Sequence, residues 1–418
     1  MKKSFKSRRK LRTVGTCVGV LAGGLAGIHA QSMEQLEKEN QEMHQRLDAL
    51  EALAQKEGLL PSGKTPPKFV SALSDITLSG FVTASYFHDT SDPPGGVSPG
   101  YLWNRVNNSF SLNKVKLTLA SKPVESNGDH FEAGFRTSLI FGQDAKIVNS
   151  GSGITGFDVL REAYVDMNIP IGSGIDVKAG ELISLLNYES GDGGAVNDNF
   201  SQGFQWFFTG NGPAAGVQAG YNFTEWLDLK VRVQNGLYAG PVDNNSSKTL
   251  VGAIGFHPTK SLWFSFIGWG GREDSFIQSV WGGSVLAGWQ ATEQLHFGME
   301  LDYFDFYNGE SATPAGNSDV WSTGIWASYD FTKQVGLAVR GEFLSDENGA
   351  DISGGALGFT NPPGTGQDLA SVAVTLNYKP LPYIKVQPEV RYDHSSYGKA
   401  FGTENHRVLI GAGVSYLF

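Results

Sequence analysis

The chain has 418 residues, a formal net charge of −10, 40% hydrophobic residues, 12% aromatic residues and only 18% charged residues. This composition excludes a disordered protein and a nucleic-acid binder, and the single Cys excludes both a disulfide scaffold and a Cys-ligated zinc site. Beyond the N-terminus, no run approaches the roughly 18 apolar residues of a transmembrane helix. The 54 glycines and the many aromatic residues favour a large all-β chain, soluble or membrane-embedded.

Residues 1–30 are predicted to be a signal peptide. Seven basic residues precede an apolar stretch at 14–28, and Ala30 offers a small residue at the cleavage position. An uncleaved anchor helix is the alternative, although about 15 apolar residues are short for a span. Cleavage would remove seven of the 32 basic residues and no acidic residue, so the net charge would become −17.

Residues 31–57 contain neither Gly nor Pro and predict a short periplasmic coiled-coil helix. Its a and d positions, at alternating spacings of three and four, are Met33, Leu36, Asn40, Met43, Leu47, Leu50 and Ala54. We expect Leu36, Asn40, Met43, Leu47 and Leu50 to mediate oligomerisation, most plausibly as a homotrimer. A lone amphipathic helix folded against another element is the alternative. Residues 58–75, which are rich in Pro and Gly, are predicted to be a linker.

From residue 76 the hydrophobic period changes to two. Lys385, Gln387 and Glu389, for example, alternate with Val386 and Pro388. Such a strand has one polar and one apolar face. In a soluble sandwich the apolar face is the core, whereas in an outer-membrane barrel it meets lipid and the polar face lines the lumen. The alternation by itself does not distinguish these folds.

Three further features favour a transmembrane antiparallel barrel over residues 76–418. We count about sixteen strands, with 14 to 18 as the range. Long connections alternate with short ones, and the even count brings both ends of the barrel to the short-turn side. Aromatic residues recur near strand ends, as in the two aromatic belts of membrane barrels; they are Trp263, Phe264, Trp269, Tyr303, Phe306, Tyr307, Trp321, Trp326, Tyr329 and Phe331.

The last strand carries a more specific pattern. Ile410, Ala412, Val414, Tyr416 and the terminal Phe418 share one face. This pattern resembles the signal read by the bacterial barrel-assembly machinery. In lipid, the edge of this strand must pair with the first strand, because unpaired backbone groups are costly there. The expected partners are therefore this machinery and outer-membrane lipid.

A sixteen-stranded barrel leaves an aqueous channel. The third external loop, residues 183–213, is the longest. We expect it to fold into the lumen as a constriction, placing Glu189, Asp192 and Asp198 opposite basic wall residues. The alternative is a surface loop that packs on a neighbouring subunit. Aromatic rings in this loop are compatible with sugar stacking.

Charges of both signs are predicted on the inward faces of the strands. The predicted pore-lining residues are Lys114, Lys116, Arg136, Lys178, Lys230, Arg232, Arg340, Glu342, Lys385 and Arg391. Rows of opposite sign would create a transverse field that filters solutes by charge. The alternative is that neighbouring acidic and basic residues only form salt bridges with one another. The net charge favours a mild cation preference, which the basic rows oppose.

Several short motifs resemble the β-barrel porin-2 family, the OmpL-like outer-membrane porins. The resemblance covers most of residues 76–418 and includes Arg161 to Asp166, Lys178 to Gly180 and Asn187 to Glu189. It implies an outer-membrane pore for small solutes, with Glu189 as a pore-loop residue.

The chain is therefore predicted to be a porin for passive diffusion of small hydrophilic solutes. A phosphate, anion or carbohydrate-selective porin and a structural barrel that tethers the envelope are alternatives. The six histidines of the barrel region fall in no GxSxG or HExxH motif. We expect no enzymatic activity, cofactor or metal, and no nucleic-acid partner.

Overall fold

The computed structural model describes residues 76–145, 149, 158–237, 242–243, 245–273, 277–309, 315–349, 351–352 and 358–418. The predicted signal peptide (1–30), helix (31–57) and linker (58–75) lie outside the described residues. The predicted oligomerisation residues, Leu36, Asn40, Met43, Leu47 and Leu50, therefore lie outside them too. Among the described residues, no helix is long and apolar enough to cross a membrane.

Sixteen strands form one closed antiparallel barrel in which each strand pairs with its chain neighbours and β1 pairs with β16. The predicted strand count is confirmed. The strands are β1 (Thr77–Asp89), β2 (Ser109–Ala120), β3 (Glu132–Phe141), β4 (Leu160–Ile169), β5 (Ile175–Leu182), β6 (Ala214–Thr224), β7 (Leu227–Gln234), β8 (Thr249–Thr259), β9 (Leu262–Gly271), β10 (Ile277–Gln290), β11 (Leu295–Asn308), β12 (Gly316–Asp330), β13 (Val335–Asp346), β14 (Gln367–Leu381), β15 (Ile384–Ser395) and β16 (His406–Leu417).

The connections alternate as predicted, with one exception. The loop end of the barrel carries L1 (90–108), L2 (142–159), L3 (183–213), L4 (235–248), L5 (272–276), L6 (309–315), L7 (347–366) and L8 (396–405). At the opposite, short-turn end, the β2–β3 connection spans eleven residues, more than the five of L5. The Asn168 side chain holds this long turn, since its Nδ2 donates to Asn127 O at 3.0 Å and to His130 O at 2.8 Å.

Side chains alternate across the wall. On β14, Val372 and Val374 are 49% and 40% exposed on the outer surface, while Ser371 and Thr375 are buried inside. The barrel closes where Gly80 and Phe418 exchange backbone hydrogen bonds of 2.9 and 3.0 Å. Closure pairs the edge strands, which a barrel in lipid requires.

The aromatic residues predicted near strand ends divide between the two faces. Tyr303, Tyr307, Trp321, Tyr329 and Phe331 are exposed on the outer surface, as an aromatic belt requires. Trp263, Trp269, Phe306 and Trp326 instead point into the lumen, so the belt assignment is wrong for these four. Nearness to a strand end does not determine the face. Parity does, and Trp263 and Trp269 share the parity of the buried Ile267.

The lumen is not polar throughout, in contrast to the expectation for the inner face. In the loop-end half of β8 to β14 the inward side chains form an apolar wall. It consists of Val251, Ile267, Trp269, Val280, Phe304, Phe306, Val320, Leu344 and Leu369. Leu186, Phe204 and Phe208 of L3, Phe359 of L7 and Phe401 of L8 pack against it. A hydrophobic core therefore lies inside the barrel, between the wall and the loops.

Candidate pore and the third external loop

L3 lies inside the barrel and is held by inward-facing side chains of many strands. Arg232 of β7 donates to Ile183 O at 2.8 Å near its start. Lys385 of β15 donates to Asn197 O at 2.6 Å on the far side. Further hydrogen bonds join the loop to β2 and to β11 through β14. These contacts agree with the expectation from the sequence that this loop folds into the barrel.

Wall carboxylates accept hydrogen bonds from the loop. Glu300 Oε2 accepts from Tyr188 N at 2.7 Å, and Glu389 Oε2 accepts from Phe200 N at 2.8 Å. Asp302 Oδ2 accepts from Gln205 Nε2 at 2.7 Å and from Thr209 Oγ1 at 2.8 Å. Removing one partner of a buried hydrogen bond costs about 1–3 kcal/mol. The acidic residues of β11 and β15 therefore hold the loop in place.

Two predicted pore-lining arginines lie beneath L3. Arg340 Nη1 is 2.8 Å from Glu189 Oε1, and its Nε is 3.1 Å from Glu342 Oε2. Arg391 Nη1 donates to Gln202 O at 2.6 Å. Arg340 and Arg391 are completely buried, and Glu189 is only 6% exposed. These residues face the lumen, as expected from strand parity, but L3 separates them from the water in it.

The remaining predicted loop acids have separate surroundings. Asp192 Oδ2 lies 2.7 Å from Lys116 Nζ, so this acid is paired with the wall at β2. Asp198 is exposed and accepts a 2.6 Å hydrogen bond from Ser328 Oγ. Lys114 is buried, 3.5 Å from Asp144 of L2. The three loop acids therefore do not form one acidic row.

Glycines in the wall make room for L3. A Cβ built on Gly413 of β16 would lie 1.8 Å from the Phe200 ring, and one on Gly298 of β11 would lie 2.1 Å from the Tyr188 ring. No side chain larger than hydrogen fits at these positions while the rings stay in place. The loop thus lies directly on the backbone of the wall.

The inward side of β3 to β7, which we call the polar wall, remains partly open. A cavity of about 450 Å³ lies between L3 and the part of the barrel wall formed by β2 to β4. Lys116, Arg136, Arg161, Glu162, Tyr164, Asp192 and Trp206 are among the residues that line this cavity. Arg232 Nη2 donates to Gln218 Oε1 at 2.8 Å, and among the described residues it has no carboxylate within ion-pair distance.

In three ion pairs of the polar wall, the base is more exposed than its acid. The side chains of Arg136 and Glu162 are 39% and 5% exposed, with 2.7 Å between them. Lys178 is 26% exposed against 17% for Asp166, and Lys230 is 45% exposed against 13% for Asp228. A long basic side chain extends past its shorter acidic partner. In these pairs the positive charge therefore extends further into the lumen than the negative charge.

L1 covers the wall near β15 and β16. The Tyr101 ring lies 4.6 Å from the guanidinium carbons of both Arg391 and Arg407. Its hydroxyl donates to Asp393 Oδ2 at 3.0 Å, and Arg407 Nη1 reaches Asp89 Oδ2 at 3.2 Å. Burial raises the pKa of Tyr101 and keeps its phenol protonated. Sequence reasoning did not select Tyr101 or Arg407, although the parity of β16 places Arg407 inside with Gly413.

Two loop groups have strongly shifted pKa values. Burial, and then the charges of Asp198 and Glu189, raise the pKa of Tyr188 to about 12. In L7, burial and the charge of Asp346 raise the pKa of Asp351 to about 8. Asp346 Oδ2 meanwhile accepts from the backbone nitrogens of Asp351 and Ile352, at 2.9 and 2.6 Å. Both shifts favour the protonated form near neutral pH.

Comparison with known proteins places this arrangement among porins. Residues 75–418 match the family model described as Putative beta-barrel porin-2, OmpL-like. No curated protein matches the sequence.

Three solved structures share the fold, and the alignment covers 82% of this chain in each. A loop-deletion mutant of OmpT, an outer membrane protein of Vibrio cholerae, is 11% identical over 99% of its chain, with a TM-score of 0.53. The outer membrane channel DcaP of Acinetobacter baumannii is 14% identical over 97%, with a TM-score of 0.53. An anion-selective porin from Comamonas acidovorans is 10% identical over 99%, with a TM-score of 0.52.

Proposed function

We propose that L3 narrows the lumen of the barrel to an off-centre passage for small hydrophilic solutes. The chain belongs to the Putative beta-barrel porin-2, OmpL-like family and is a porin of the outer membrane. This proposal rests on one observation, that L3 contacts one side of the barrel wall much more closely than the other. The loop covers the inward charges of β11 to β15, whereas Arg136, Lys178 and Lys230 of the polar wall remain partly exposed. Solutes diffuse passively along the polar wall, and no catalytic step is involved.

We further propose a mild anion preference. The cation preference expected from the sequence rests on the net charge of the chain. Much of the inward acidity, including Glu300, Asp302 and Glu389, is buried under L3. In three ion pairs of the polar wall the basic side chain is the more exposed partner, and exposed lumen charges act on a passing ion over about a Debye length of 8–10 Å.

The proposal extends to assembly. The active form is a homotrimer in the outer membrane, with the helix of residues 31–57 in the periplasm. The apolar outer face of β16, which ends beside Phe418, is the segment presented to the barrel-assembly machinery. The small and apolar residues of this face, Ala412 and Val414, support the assignment.

Single-channel recording in a planar bilayer tests the pore. We expect stepwise conductance and a reversal potential under a salt gradient that indicates anion preference. Lys178→Glu with Lys230→Glu should move the reversal potential toward cations. Lys333→Glu, on the exposed β12–β13 turn, is the matched control and should leave it unchanged. A folded barrel with no conductance would refute the diffusion pore, and a cation preference of the unmodified protein would refute the role of the polar wall.

A further inference from the structure

A row of aromatic residues lies on the inner wall at the short-turn side of L3, away from the polar wall. Trp263 of β9, Gly288 of β10, Gly298 of β11 and Trp326 of β12 are direct cross-strand neighbours. The two tryptophans thus flank two glycines in one row across four strands. L3 adds a third ring, Tyr188, above the glycines.

The glycines allow the rings to lie against the wall. A Cβ on Gly288 would be 2.4 Å from the Trp263 indole nitrogen, and one on Gly298 would be 2.1 Å from the Tyr188 ring. The Tyr188 ring is 6.2 Å from that of Trp263, at an interplanar angle of 15°, and 4.7 Å from that of Trp326, at 34°. We call Trp263, Tyr188 and Trp326 the aromatic panel. Its rings form a nearly continuous surface along the wall.

Polar groups border the panel. A cavity of about 200 Å³ is lined by Tyr188, Trp326 and Gly298 and by the polar residues Asp198, His296 and Ser328, which we call its rim, whereas Trp263 stacks on Tyr188 outside this lining. Pockets for drug-sized ligands span about 300–1,000 Å³, so this cavity suits a single small ring. Asp198 is exposed and binds Ser328. The rim therefore offers hydrogen-bonding groups around an aromatic surface.

We propose that the aromatic panel is a binding subsite for neutral pyranosides at the short-turn end of the lumen, where His296 and Ser328 border its cavity. A pyranose ring has faces of C–H groups, which carry partial positive charge, and a rim of hydroxyls. The C–H groups suit the negative face of an aromatic ring, and the hydroxyls suit the carboxylate and imidazole of the rim. The exposed carboxylate of Asp198 disfavours planar anions. The proposal rests on the proposed function for the passage of the bound sugar, whereas binding itself needs only access from the short-turn end.

Binding is tested apart from conduction. Maltose is titrated by calorimetry into the folded full-length protein in detergent, with mannitol, which has hydroxyls but no ring, and benzoate, a planar anion, in parallel. We expect saturable binding of maltose and none of mannitol or benzoate. Tyr188→Ala and Trp326→Ala should each raise the half-saturating maltose concentration about fivefold, which corresponds to the loss of one aromatic contact, because both rings line the cavity.

Two matched variants control for general damage to the barrel. Tyr164→Ala removes an inward tyrosine of the polar wall, and Trp289→Ala removes an outward tryptophan close to Trp263. Both should bind maltose like the unmodified protein. Tyr188→Phe keeps the ring and should also retain binding.

If the protein conducts but does not bind maltose, the subsite is refuted and the diffusion pore stands. Mannitol binding as tightly as maltose, or benzoate binding more tightly, would overturn the assignment to pyranosides. A protein that binds maltose without conducting would retain the subsite and refute the diffusion pore. Maltose added to each side of a bilayer in turn should reduce the conductance more strongly from the short-turn side.

Discussion

The polar wall and the opposite wall, formed by β11 to β15, have the same alternation of inward and outward side chains but different surroundings. On the polar wall, Arg136 pairs with Glu162 and is 39% exposed. On the opposite wall, Arg340 pairs with Glu189 and Glu342 and is completely buried. The difference shows that an inward charge lines the pore only where no loop covers it. On the covered wall the same residue types anchor L3.

The largest expected effect separates these two arginines. Arg340→Met would leave Glu189 and Glu342 buried without their partner, and breaking a buried pair costs about 3–5 kcal/mol. We expect L3 to detach locally, with faster hydrogen exchange at residues 187–209 and a noisier open channel. Arg136→Met breaks a partly exposed pair whose Glu162 keeps a 2.7 Å hydrogen bond from Ser138 Oγ, so the loss of stability should be smaller. It should change the reversal potential and leave L3 exchange unchanged. Equal exchange in both variants would contradict the distinction between the walls.

A smaller effect is expected from filling a glycine site under the loop. Gly413→Val places a side chain where the Phe200 ring lies, and overpacking of this kind costs about 1–3 kcal/mol. We expect displaced L3 and altered conductance. Gly252→Val is the control, since a Cβ at Gly252 meets nothing within 4 Å. If the two valine variants conduct alike, the wall glycines do not seat the loop.

The smallest effect, at most about 1.4 kcal/mol for each pH unit, sharpens the comparison at L7, above the covered wall. Because the pKa of Asp351 is raised to about 8 from an ordinary 3.8, the packed loop binds a proton that the unpacked loop releases. The packing of L7 should therefore weaken as the pH rises from about 4 to 8. A single titrating group changes the equilibrium between packed and unpacked L7 by at most about tenfold per pH unit. The protection factor of the Ile352 amide measures this, and Asp351→Asn should abolish the pH dependence. Protection that increases with pH would reverse the sign and contradict the argument.

The sequence was sufficient to predict the barrel because its signals are local. Strand alternation, the spacing of long and short connections, and the apolar face beside Phe418 are all visible within short windows. Sequence reasoning also placed Arg136 and Arg340 correctly on the inner face. It did not distinguish the exposed arginine from the buried one, since coverage depends on L3 contacts between residues 137 to 190 positions apart. The inward Trp269 and Phe306 were missed because a polar lumen was assumed.

The position of the residues that hold L3 has a consequence for the order of folding. The loop belongs to the middle of the chain, but Arg340, Glu389 and Arg391 come from its last third, and Lys116 comes from β2. These groups surround the loop only after the first and last strands have met. Contacts of such high sequence separation form late, because the ends of a long segment must first be brought together. The barrel must therefore close around a wide lumen, and its selective passage is a product of the final step of maturation.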